Sequence, residues 1–161
     1  DPDDPAKGIL FDGRVAEDFK LLTGSWVSTG TLRVAAIAAG APVIQDAVVA
    51  GHDRDEVGLL VFPSPVGAAK VAGLDPGTPL PEIVANQEVR EALRTGLAAY
   101  NAENPGSSAR IGRALLLKEP PNIDANEITD KGYINQRAVL ERRTRLVETL
   151  YSDDAEVLTI A

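Results

Sequence analysis

Apolar positions along this chain follow two periods, and turn-forming clusters separate them. Residues 9–11 and 19–22 flank the turn dipeptide Asp12-Gly13, and Trp26-Val27 follows a second turn at Thr23-Gly24. Residues 8–28 therefore read as short strands joined by tight turns, a hairpin-like lobe ahead of the main body. From residue 31 to 39 the spacing changes: Leu32, Ala36 and Ile37 share one side of a short Ala-rich helix, closed by Gly40 and Pro42. Residues 43–50 and 57–62 are continuous apolar runs rich in β-branched side chains, joined by a charged loop that includes His52, and they predict a β-hairpin.

Residues 63–82 hold five prolines and several glycines and read as an irregular, exposed stretch. Asn86 then caps a helix whose Val89, Leu93, Leu97 and Tyr100 recur at helical spacing, stopped by Asn104-Pro105-Gly106. Residues 111–117 predict another buried strand, ended by Pro120-Pro121. After a polar, turn-rich segment, Asn135 caps a final helix with Val139, Leu146, Val147 and Leu150 on one face; Arg137, Arg142, Arg143 and Arg145 form its solvated side. The expected fold is α+β: a small mixed sheet with flanking helices, preceded by a short β-hairpin hinge lobe.

Composition narrows the function. The chain has 161 residues, enough for one domain with a real core. With 4% aromatics, that core is built from Val, Leu, Ile and Ala. A formal net charge of -8 argues against a nucleic-acid binder, which needs a basic face for phosphates. The absence of cysteine excludes disulfides and thiolate chemistry, and a single histidine excludes a multi-His metal site. No apolar run approaches the length of a membrane span, and the start, Asp1-Pro2-Asp3-Asp4-Pro5, is unlike a signal peptide, so a cytoplasmic location is expected. The sequence contains no Met, even at position 1, which suggests a piece of something longer.

The familiar phosphate-binding, zinc and nucleophile motifs are missing. His52 sits beside carboxylates yet lacks a neighbouring nucleophile, and reads as part of a solvated hairpin loop. Two clusters carry more. In Gly13-Arg14-Val15-Ala16-Glu17-Asp18-Phe19-Lys20-Leu21, charges alternate with apolar residues around a turn. In Glu127-Ile128-Thr129-Asp130-Lys131-Gly132-Tyr133-Ile134-Asn135-Gln136-Arg137, a lysine stands on a glycine-bearing loop before a capped helix, where its long stem can reach an outside anion.

These two clusters resemble the hinge and the terminal catalytic-lysine motif of the adenylate-forming superfamily, and their wording is most similar to feruloyl-CoA synthetases. The likeness runs from about Gly8 onward. It implies a C-terminal lid domain over residues 16–161, with 1–15 as linker and remnant of an N-terminal adenylation domain. It also implies an ATP-dependent, AMP-forming acid–CoA ligase that uses ATP, Mg²⁺ and CoA on an aromatic, hydroxycinnamate-type acid, with the lid alone inactive. By the same resemblance Arg14 contacts nucleotide, Ala16, Glu17 and Asp18 form the hinge, and Lys20 and Gly24 line the access of CoA.

The lysine departs from the usual pattern, in which Gly immediately precedes the catalytic Lys. Here Tyr133 follows Gly132 and the lysine comes one residue before it, so either Lys131 or Tyr133 fills the catalytic position. Lys131 is favoured because its long flexible stem can make up a shift of this size, while Tyr133 brings no positive charge at pH 7. Two other readings stay open: the lid of a fatty-acid ligase or carboxylate-activating module, and a free-standing binding or regulatory domain derived from such a lid.

Overall fold

The computed structural model describes residues 18–52, 54–106, 108–129, 131–132 and 134–160. It opens with a two-stranded antiparallel hairpin, β1 (Phe19–Lys20) and β2 (Trp26–Val27), with Phe19 opposite Val27 and Lys20 opposite Trp26. Helix α1 (Thr29–Ala39) follows, and its first turn borrows a cap: the Thr29 amide donates to Asp18 Oδ1 at 2.9 Å. Strands β3 (Ile44–Ala50) and β4 (Val57–Pro63) form the expected antiparallel hairpin.

The proline-rich stretch differs from its expected irregularity. It contains two helices, α2 (Pro65–Ala72) and α3 (Leu80–Ala85). Pro65 and Pro81 sit in the first turns of these helices, where a missing N–H costs nothing because that amide has no intrahelical partner. Ser64 completes the signal by accepting the Gly67 amide through its hydroxyl, and the small face of α2 buries Ala68 and Ala69. Helix α4 (Gln87–Glu103) starts at Asn86, whose Oδ1 accepts the amides of Glu88 and Val89, and buries Val89, Leu93 and Leu97. Near its other end the buried Asn101 exchanges two hydrogen bonds with the backbone of Ile111, fixing α4 to strand β5 (Ile111–Leu116).

The single final helix expected from sequence is two: α5 (Gln136–Arg142) and α6 (Thr144–Leu150), broken at Arg143. A three-residue strand, β6 (Val157–Thr159), was not expected and closes the sheet. The order is β3-β4-β5-β6, with β4 and β5 parallel and the outer pairings antiparallel.

Each central strand is apolar on both sides because both sheet faces are covered. Ala47, Val49, Leu59, Val61, Ala114 and Leu116 face the layer of α1–α4; Val48, Leu60, Phe62 and Leu115 face α5 and α6. Phe19, Leu21 and Val27 belong to the first core, so the entrance hairpin is packed onto the body and is not a separate lobe.

Candidate functional site

The entrance hairpin presents Lys20 and Trp26 side by side, with the Lys20 ammonium 5.3 Å from the centre of the indole ring. Its turn is closed by the Leu21 amide on Ser25 O and the Gly24 amide on Leu21 O, and Gly24 takes φ +90°, where a side chain would be strained. Space around the Gly24 Cα is open. The Leu22 amide reaches across to Arg54 O in the β3–β4 connection, which locks the turn to the core hairpin. Leu22 and Trp26 stay 64% and 62% exposed, a large apolar surface for so short an element.

The second cluster forms a tight loop. Ile128 and Ile134 make an antiparallel bridge, the Asn135 amide donates to Glu127 O, and the Gly132 amide donates to Thr129 O, with Gly132 at φ +86°. Lys131 stands exposed at the far end of this loop. Beyond it, Asn135 Oδ1 accepts the Ala138 amide and starts α5.

The feet of the loop hold what sequence reasoning missed. Glu127 is 0% exposed and accepts from Arg143 Nε at 2.7 Å and NH2 at 2.9 Å, from the Asn122 amide at 2.9 Å and from Arg142 at 3.2 Å. Burial by itself raises this carboxyl, but Arg143, the Asn122 amide and Arg142 together hold it below its ordinary 4.5. Arg143 is buried too, and also donates to the carbonyls of Glu119 and Pro120. This corrects the expectation that the arginines of this region form only a solvated face. Arg143 turns inward to a carboxylate sixteen residues earlier, at the point where the helix breaks. The other foot is Gln136, whose Oε1 accepts the amide of Val49 on β3 at 2.9 Å. The sequence offered only the residue types, a Glu and a Gln at the two ends of a motif already singled out for its lysine; their burial and partners come from the fold.

The two clusters meet in one open groove of about 1190 Å³. The hairpin side contributes Asp18, Lys20, Gly24 and Trp26, and the helix side Asn135, Arg137 and Glu141. His52 borders the groove, its ring edge-on to Phe19. The structure thus gathers three of the expected residues, Asp18, Lys20 and Gly24, beside the segment that follows Lys131. Arg14, Ala16, Glu17 and Tyr133 lie outside the described residues. Among the described residues no three Asp, Glu or His side chains converge to hold a metal ion, and no helix is long and apolar enough to cross a membrane.

A small mixed sheet between two helical layers, entered through a hairpin, is the fold of the C-terminal domains of adenylating enzymes. The chain belongs to the AMP-binding enzyme C-terminal domain family, whose model matches residues 21–155. It is 26% identical over 144 residues to the chloroplastic long-chain-fatty-acid–[acyl-carrier-protein] ligase AEE15 of Arabidopsis thaliana, a match covering 89% of this chain and 18% of that protein. Its fold is that of the A domain of carboxylic acid reductase from Segniliparus rugosus, solved with AMP and a co-purified carboxylic acid. The TM-score there is 0.65 at 22% identity, over 86% of this chain and 20% of that one. The adenylation domain of the carboxylate reductase from Mycobacterium chelonae gives the same TM-score at 18% identity, over 87% of this chain and 20% of that one. The chain thus spans about a fifth of each of these relatives.

Proposed function

We propose that this chain is the lid of a carboxylic acid ligase that works in two half-reactions. In the first, a carboxylate oxygen attacks the α-phosphorus of ATP, the bond to pyrophosphate breaks, and an acyl-adenylate forms. In the second, a thiol sulfur attacks the acyl carbon, the bond to the adenylate oxygen breaks, and AMP leaves with the thioester as product. The observation that carries this reading is the exposed Lys131, at the end of a loop braced by buried groups, in a member of this family. Negative charge building on the α-phosphate is best met by a cation delivered in place, which a lysine on a lid supplies.

The other assignments follow the same reading. Arg14 meets the nucleotide; Ala16, Glu17 and Asp18 form the hinge about which the lid turns between half-reactions. Lys20 and Gly24 border the path of the thiol arm, where a residue without a side chain leaves room for it. Mg²⁺ and most of the ATP contacts fall to the N-terminal adenylation domain on the same resemblance, and the lid is inactive without that partner. The acid is aromatic, of the hydroxycinnamate class, and CoA is the acceptor, on the likeness of the two motifs to feruloyl-CoA synthetases.

A second reading has its own support. The Arabidopsis relative is a long-chain fatty acid ligase that loads acyl-carrier protein, which favours a fatty acid and a carrier-borne pantetheine thiol. One set of assays on the full-length enzyme separates these. Lys131→Ala and Tyr133→Phe are each measured for ATP–pyrophosphate exchange and for thioester formation from preformed adenylate, with ferulate and with palmitate. Loss of exchange in Lys131→Ala alone supports the lysine; loss in Tyr133→Phe with exchange intact in Lys131→Ala assigns the position to the tyrosine. Exchange with palmitate and none with ferulate moves the enzyme to the second reading.

A further inference from the structure

The chemistry above uses Lys131 and leaves its two buried neighbours, Glu127 and Gln136, without a task. Both are almost fully shielded, at 0% and 3% exposure, and each ends the loop from a different direction. Glu127 is tied to Arg143 at the α5–α6 break, and Gln136 is tied to the Val49 amide on the edge of the sheet. The Asn135 amide on Glu127 O closes the base between them. A buried ion pair adds little net stability compared with well-packed apolar side chains, but a guanidinium and a carboxylate meet in one planar geometry, so the pair fixes direction. A loop that only had to be solvated would need neither group.

We infer that Glu127 and Gln136 are positioning residues, which together set the loop so that the Lys131 ammonium arrives at the reacting phosphate in register. The inference rests on the reading of Lys131 given above. It confines their effect to adenylate formation, because Lys131 acts only in that half-reaction.

The test uses the full-length enzyme with Glu127→Gln, Gln136→Met and Lys131→Ala, each assayed for both half-reactions. A misplacement of about an ångström costs on the order of a hundredfold in rate, so pyrophosphate exchange in Glu127→Gln and Gln136→Met is expected to fall about a hundredfold in kcat. Thioester formation from preformed adenylate stays within about twofold, since nothing in that step needs the lysine in register. Equal loss in both half-reactions, or no loss in either, overturns the inference, because a merely structural role lowers the active fraction for both steps together. Gln136→Met carries the test if Glu127→Gln fails to accumulate. Exchange lost in Lys131→Ala but kept in both loop variants sinks this inference alone; exchange intact in Lys131→Ala sinks the lysine assignment and this inference with it.

Discussion

Arg143 Nε lies 2.7 Å from Glu127 Oε2, with both side chains withdrawn from solvent, and this contact joins the foot of the lysine loop to the break between α5 and α6. Removing one partner strands the other. Glu127→Ala is therefore expected to cost about 3–5 kcal/mol in urea unfolding, whereas Glu127→Leu combined with Arg143→Met costs far less. Equal losses for the single and double variants would show that cavity effects, not the stranded charge, dominate.

The same carboxyl makes stability sensitive to acid. Its folded value lies below the ordinary 4.5, so as pH falls the unfolded chain binds the proton first. Its contribution is full above the unfolded value and is lost as pH drops through the folded one. Thermal melts taken from about pH 6 down to about pH 2 should fall more steeply for the native chain than for Glu127→Gln. Parallel curves would mean that Glu127 titrates alike in both states.

Gly96 lies inside α4, where replacement by Ala normally stabilises by roughly 0.5–1 kcal/mol. Here a Cβ would press onto the carbonyl oxygen of Ala39 at the end of α1, which is backbone and cannot swing away. Gly96→Ala is expected to destabilise by about 1–3 kcal/mol. A higher melting temperature in the variant would contradict the close approach of α1 and α4.

Asp18→Ala removes the acceptor from the first turn of α1 and is expected to cost about 1 kcal/mol, with Asp18→Asn retaining most of it. Ser28, at the cap position itself, accepts no helix amide, its hydroxyl donating instead to Thr31 Oγ1, and so offers no substitute. Matching midpoints for Asp18→Ala and the native chain would show that the contact is not made in solution.

What was legible in the sequence was local. Asn86 with its train of Val89, Leu93 and Leu97 announces α4, and the β-branched runs announce β3, β4 and β5, because each pattern is written within a few neighbouring residues. Helices α2 and α3 were hidden by prolines that break helices in the interior but start them in the first turn. Strand β6 is too short to show a period. The lysine loop stood out by its motif, yet its bracing did not. Glu127 finds Arg143 sixteen residues on, and Gln136 finds Val49 eighty-seven residues back, and neither distance leaves a periodic trace.

The bond between Gln136 and Val49 has a further consequence for how the domain behaves among its own copies. Among the described residues strand β3 is the last in its sheet and pairs only with β4, so its outward amides could recruit another strand. One of them is occupied by a side chain from the segment that carries Lys131. The loop to which the chemistry is assigned in our proposal thus also acts as a stopper on the open edge of the sheet. A chain whose lysine loop has come away would lose that stopper at the same moment, so loss of the loop's proposed role and self-association would begin from a single event.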